Sequence, residues 1–147
     1  IVAFFGETHR TKEVPAMANF LVQRAVTDVL QEKDIPYHVG ITYTTNVRFW
    51  EFNEEFRQNL IKSRAQCIEM ECATLFTASY YRKLPLGALL LISDLPLEKK
   101  GIKTKKSSQE VFRKHTVDHV ESGVEVMKKL AQFENQGLKG LSRGRKS

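Results

Sequence analysis

The sequence predicts an α/β fold of three layers, α/β/α, in which a sheet is covered by helices on both sides. Three observations carry that prediction. Short stretches rich in β-branched and aromatic residues alternate with helical patterns along the chain. The run Leu86 to Ile92 is continuously apolar, as expected of a strand buried on both faces. No internal repeat breaks the alternation. With 147 residues, 41% hydrophobic and 27% charged, the chain can bury a core without help from disulfides or metals.

Taken in order, the apolar opening Ile1-Val2-Ala3-Phe4-Phe5 reads as a strand ending at Phe5. A domain rarely begins inside a buried strand, so a preceding segment is expected. A polar loop follows from Gly6 to Glu13. Pro15 opens a helical pattern to Lys33, with Phe20, Leu21, Ala25, Val29 and Leu30 at helical spacing, and Ile35-Pro36 breaks it. Tyr37 to Thr44 alternates and reads as a strand; Asn46 to Asn53 is a loop, and Glu54 to Ser63 a short amphipathic helix. Ala65 to Met70 is a short strand running directly into a helix from Glu71 to Lys83. After the apolar run and a long polar loop, Ser107 to Phe133 forms the last helix. Its residues Val117, Val120, Val124, Met127 and Ala131 fall on one stripe, the pattern of a helix packed on a core.

The formal net charge is +6, which suits anionic partners such as phosphates. The excess sits in the loop Lys99 to Lys106 and in the tail 136–147, the latter fitting a frayed basic terminus. Nucleic acid is a poor match as a partner, because no basic strand face carries interleaved aromatics. No apolar run reaches transmembrane length, so no membrane association is expected. Cys67 and Cys72 have no CxxC spacing and read as reduced thiols of a cytoplasmic protein. His115 and His119 lie four apart on a helix but have no accompanying Glu motif or third ligand. They read as surface or packing residues, with no metal site and no cofactor loop.

In an open α/β sheet, ligands bind beyond the carboxyl ends of the strands. The loop after Thr45, the pair Met70-Glu71 and Asp94 all fall at such ends, which places three chemically loaded positions on one edge. From position alone, Glu71 also fits a first-turn residue stabilised by a helix N-terminus, and Asp94 fits a turn after a strand.

The string Glu69-Met70-Glu71 before a small-residue helix, followed by Gly87-Ala88-Leu89-Leu90-Leu91-Ile92-Ser93-Asp94, resembles the paired signature of the nucleoside phosphorylase and nucleosidase superfamily. Glu13-Val14-Pro15-Ala16, Tyr43-Thr44-Thr45-Asn46, Trp50-Glu51 and Gly101-Ile102-Lys103-Thr104 resemble its AMP-hydrolysing branch in order and spacing. The similarity runs from about Gly6 to Leu130. It implies a nucleoside phosphorylase-like fold of which residues 1–135 are the C-terminal portion. The chain would then hold an incomplete site, inactive alone, within a homo-oligomer that in this family is commonly a hexamer.

The implied chemistry is hydrolysis of the N-glycosidic bond of AMP to adenine and ribose 5-phosphate. Phosphorolysis of a purine nucleoside, with phosphate as co-substrate, is the nearest alternative, and a non-catalytic nucleotide- or RNA-binding module the more distant one. By the resemblance, Glu71 holds the ribose hydroxyls, since a carboxylate accepts two hydrogen bonds and favours a cationic sugar. Met70 would be an apolar wall against the sugar, with Glu69 beside it, and Asp94 would protonate N7 of the leaving adenine. To hold a proton near neutral pH, that carboxyl needs burial or a neighbouring carboxylate. Thr44, Thr45 and Asn46 are candidates for hydrogen bonds to base or sugar. Phe49 or Trp50 would stack on the base, and Arg48 and Lys103 would meet phosphate or the departing base. Two departures from the family pattern fall on phosphate recognition: the loop from Gly6 to Lys12 is shortened, and Val47 stands where a first arginine of a pair is usual.

Overall fold

The computed structural model describes residues 2–3, 5–6, 16–95, 97 and 105–135, with side chains at 16–95, 97 and 109–133. Gly6 closes a strand, while the rest of the polar loop, Pro15, Lys103 and the basic tail lie outside the described residues.

Tyr37 to Thr44 is split by Ile41 into two short strands, and each finds a parallel partner. β1 (Val2–Ala3) pairs in parallel with β4 (Val39–Gly40). Between them in sequence, β2 (Phe5–Gly6) pairs antiparallel with β3 (Ala16–Met17). β5 (Thr42–Thr44) pairs in parallel with β6 (Cys67–Glu69). Parallel pairs need a crossover, and helices supply it. α1 (Phe20–Glu32) lies between β1 and β4, and α2 (Glu54–Ser63) lies between β5 and β6.

The first helix starts later than the predicted Pro15. Asn19 Oδ1 accepts hydrogen bonds from the amides of Leu21 (3.0 Å) and Val22 (3.2 Å), a cap that fixes the first turn at Phe20. Ala16–Met17 is consequently free to be a strand. The cap also sets the buried face as Val22, Ala25, Val26, Val29 and Leu30. Phe20 lies two residues from Val22, which is about 200° around the helix, and is exposed. Asp34, in the left-handed conformation, closes the other end, and the Ile35 amide reaches back to Leu30 O at 2.9 Å. α2 has the predicted bounds, with Asn53 Oδ1 accepting from the Phe56 amide.

The last helix, α4 (Lys105–Asn135), is longer than predicted and presents a different face to the core. Ser122, Val126 and Phe133 are buried against α1, whereas the predicted stripe, Val117, Val120, Val124, Met127 and Ala131, is exposed. α4 has apolar residues on two sides, and periodicity alone does not say which one α1 takes. The chosen side offers the small Ser122, whose hydroxyl is satisfied by Asp118 O at 2.7 Å. Charges border the contact: Lys129 pairs with Glu32 and lies 3.9 Å from Asp28, and the Arg24 guanidinium lies 5.4 Å over the Phe133 ring.

The apolar run after α3 (Cys72–Tyr81) forms a ladder bridge only at Leu89, not the full strand predicted for Leu86 to Ile92. Its packing nonetheless alternates. Leu89 joins the α1–α4 cluster, while Leu86, Ala88 and Leu90 join a second cluster of Ala16, Ala18, Cys72 and Phe76. The run therefore packs on two sides but is half-buried throughout, short of both the predicted full burial and the ladder hydrogen bonds. It ends at Asp94, beside the carboxyl ends of β5 and β6.

Candidate functional site

The parallel register of β5 and β6 sets Thr44 opposite Glu69. Glu69 then binds in two directions. One carboxylate oxygen accepts from the Thr44 hydroxyl, and the other accepts from the amides of Glu71 and Cys72, each at 2.6 Å. Those amides open α3, so Glu69 caps the helix by side-chain acceptance and by its negative charge at the positive helix end. Thr44 Oγ1 in turn accepts from the Ala73 amide at 3.0 Å. Thr45 is buried; its amide donates to Glu69 O (2.9 Å) and its hydroxyl accepts from the Val47 amide (3.0 Å). Thr44, Thr45 and Glu69 are thus engaged within the chain, and they order the edge where Met70 and Glu71 emerge.

Glu71 itself makes no side-chain cap. Its side chain is exposed, with only a 3.3 Å contact from the Met70 amide to Oε2 among the described hydrogen bonds. The carboxylate is available to a ligand. Asn46 and Arg48 are also exposed.

A cavity of about 640 Å³ opens at this edge, within the size range of nucleotide-sized sites. It brings together Arg48, Phe49, Trp50, Met70 and Asp94 from three separate stretches of sequence. Glu71 adjoins through Met70; Thr44, Thr45, Asn46 and Glu69 are not among the lining residues. Asp94 is half-buried, and its Oδ1 accepts from the Ser93 hydroxyl. The sequence reading did not single out Ser93 or Glu51, which also line the cavity. Both stand in the motif strings that carry Asp94 and Trp50, without a role of their own there.

The two aromatics differ in how they are held. Trp50 is half-buried and packs on Phe56 with ring centroids 5.9 Å apart; Phe56 meets Tyr43 edge-on at 5.6 Å. Phe49 is exposed at the cavity, and its φ of 58° puts a bulky residue in the left-handed region. That conformation costs on the order of 1–2 kcal/mol and aims the ring away from the core.

Burial is the largest cause of the raised pKa of both thiols. Cys67 is pushed up, and Cys72, also repelled by Glu69, reaches about 12. Cys67 is further held by a 2.9 Å hydrogen bond with the Thr42 hydroxyl, so neither sulfur is an activated nucleophile. Among the described residues no group of three His, Cys, Asp or Glu could hold a metal ion, and no helix is long and apolar enough to cross a membrane.

Known proteins share this chain's family and fold. A family model described as the phosphorylase superfamily matches residues 3–131. AMP nucleosidase of Escherichia coli K12 is 31% identical over 122 residues, covering 76% of this chain and 24% of that protein. The crystal structure of AMP nucleosidase from Bacteroides thetaiotaomicron superposes with a TM-score of 0.74 at 33% identity, covering 89% of this chain and 55% of that one. Purine nucleoside phosphorylase from Toxoplasma gondii, crystallised with immucillin-H, shares the fold at a TM-score of 0.62 and 17% identity, with 89% and 55% covered. The chain spans about half the length of those structures and about a quarter of the Escherichia coli protein.

Proposed function

The chain belongs to the phosphorylase superfamily, and from that premise we propose that its cavity binds AMP and that water cleaves the N-glycosidic bond there. The observation that carries the reading is the meeting of Asp94 with Met70 and the aromatic loop in one cavity, next to the exposed Glu71 carboxylate. The similarity to two AMP nucleosidases, at 31% and 33% identity, supports AMP over other purine substrates.

In the proposed step, Glu71 accepts hydrogen bonds from the ribose 2′ and 3′ hydroxyls. Its charge favours the oxocarbenium-like sugar as the bond from C1′ to N9 breaks. Asp94, protonated, gives its proton to N7, so adenine leaves neutral, and water adds to C1′ and releases a proton. Met70 walls the sugar. Phe49, with its ring exposed, is the better candidate of the two aromatics for stacking on adenine, while Trp50 anchors the loop on Phe56. Thr44, Thr45 and Glu69 position this edge, and Asn46 can reach the base or sugar. Arg48 is the described cation at the cavity and the residue to meet the 5′-phosphate, with Lys103 as a second candidate. A homo-oligomer in the cytoplasm, taking part in purine salvage, fits this activity.

The test is release of base from AMP, adenosine and inosine by the full-length protein, with and without phosphate. Adenine and ribose 5-phosphate from AMP without added phosphate is the expected result. Base release that requires phosphate and a nucleoside would overturn hydrolysis of AMP in favour of phosphorolysis; no release from any substrate would overturn the catalytic reading for this chain. In the active protein, Asp94→Asn should lower turnover by about 100- to 10,000-fold with the fold intact.

A further inference from the structure

Three of the side chains lining the cavity are charged, and the proposed reaction uses two of them, Arg48 and Asp94. The third is Glu51. It is the middle residue of the single 3₁₀ turn Trp50–Phe52. The amides of Phe52 and Asn53 close that turn on Phe49 O (3.2 Å) and Trp50 O (2.9 Å). Trp50, packed on Phe56 with ring centroids 5.9 Å apart, pins the turn to α2. The Glu51 backbone is thus held at the cavity wall.

Its surroundings differ from those of the acidic residues that follow it. Glu54 is exposed and is met by Gln58 Nε2 at 2.7 Å and by Arg57 at 3.5 Å, and Glu55 is exposed. Glu51 is half-buried, and among the described residues nothing donates to its carboxylate. Leu60, Ile68, Leu91 and Ile92 make much of the surrounding wall apolar. A carboxylate that gives up water there without gaining a donor is destabilised, and a ligand that supplies a donor offsets the cost.

An ionised carboxylate accepts hydrogen bonds and donates none. Of the parts of AMP, the phosphate is anionic and offers it no donor, and the ribose hydroxyls go to Glu71. The base remains, and the 6-amine is the one donor group of its ring system in the nucleotide. We propose that Glu51 determines base specificity by accepting a hydrogen bond from the 6-amine of the purine. The turn that begins with Phe49 against the face of the base then carries Glu51 to its edge. A 6-oxopurine sets an acceptor against this acceptor and leaves the carboxylate without a donor, so it binds less well. The inference rests on the cavity's taking a purine base, and it does not depend on which bond is cleaved there.

The test is calorimetric binding of the free bases adenine, purine and hypoxanthine to the full-length protein. None of them has a glycosidic bond, so binding is read without turnover, and the release assay on AMP tests the reaction separately. Adenine should bind about 10- to 100-fold more tightly than purine, which lacks the 6-amine, and more tightly than hypoxanthine by at least as much. Glu51→Ala should bring all of them within about threefold of one another. Glu51→Gln, whose amide offers both an acceptor and a donor, should admit hypoxanthine and keep part of the preference for adenine over purine. Glu55→Gln removes the same charge from the exposed first turn of α2 and should leave the order of the bases unchanged. Equal weakening of every base by Glu51→Ala, an unchanged preference for adenine, or binding of no base overturns the proposal. A preference for hypoxanthine that Glu51→Ala abolishes also overturns it, and would show the carboxylate accepting from N1–H of a 6-oxopurine. A Glu51-dependent preference for adenine without cleavage of AMP would keep the proposal and remove the reaction. Melting temperature should be unchanged in every variant, since no described partner inside the chain is lost with the Glu51 carboxylate.

Discussion

The carboxylate of Glu69 holds two elements at once, the end of β5 through Thr44 and the start of α3 through two amides. The sequence placed it with the substrate-binding residues because it begins the Glu-Met-Glu string. Its hydrogen bonds order the backbone from which Glu71 and Met70 emerge. The two roles differ in what substitution should do. Glu69→Ala leaves the Glu71 and Cys72 amides and the Thr44 hydroxyl without their acceptor and should cost about 1–3 kcal/mol of stability. Glu69→Gln keeps a carbonyl oxygen for the two amides, and the Thr44 hydroxyl can turn to accept from the new amide group. If Glu69 is a positioning residue, the Gln variant should recover most of the stability and most of the affinity for AMP, both lost in the Ala variant. Retained stability with lost affinity in Glu69→Gln would instead show that this carboxylate contacts the ligand directly. Thermal unfolding and equilibrium binding on the same three proteins decide the matter.

Among the elements, what was legible in sequence depended on whether a local signal or a tertiary choice fixed them. α2 was read with correct bounds because Asn53 and the acidic first turn act locally. α1 was read as a helix, but its start was displaced because the Asn19 cap outweighs the preceding Pro15 pattern. The outer stripe of α4 looks core-facing in sequence because a helix with two apolar sides gives periodicity no means of choosing between them. For the run 86–92 the two-sided packing follows from composition, but full burial and hydrogen bonding do not, since a strand needs a ladder partner that composition does not supply. Its closeness to α1 is testable. A Cβ at Gly87 would lie 2.5 Å from Val22 Cγ1 and 3.1 Å from Val22 Cβ, and a β-branched side chain has little rotamer freedom to yield. Gly87→Ala should therefore cost about 1–3 kcal/mol by overpacking. In a chain of this length that is a fall in Tm of roughly 3–10 °C. Adding Val22→Ala should return part of the loss, the non-additivity expected of touching residues. An unchanged Tm in the single variant would mean that the run sits farther from α1.

At the scale of the whole molecule, the carboxyl-end edge of the strands was legible because position follows from strand and helix order alone. The participation of Arg48, Phe49 and Trp50 in the same cavity as Asp94 depended on the tertiary fold. The net charge of +6 bears on that edge from a distance as well as through Arg48. Opposite charge raises the local concentration of an anion and strengthens its binding, and added salt screens the effect within a Debye length of about 8–10 Å. AMP and adenosine share base and sugar and differ in the phosphate, so the pair isolates this contribution. Raising salt from about 20 to 200 mM should weaken AMP binding by roughly three- to tenfold and leave adenosine within about twofold. Arg48→Gln should flatten the salt dependence for AMP while adenosine binding stays unchanged. If AMP binding proves as salt-insensitive as adenosine binding, phosphate recognition contributes little affinity in this chain. That outcome would fit the shortened loop from Gly6 to Lys12 and the Val47 beside Arg48, and would favour a nucleoside over a nucleotide as the molecule the cavity holds.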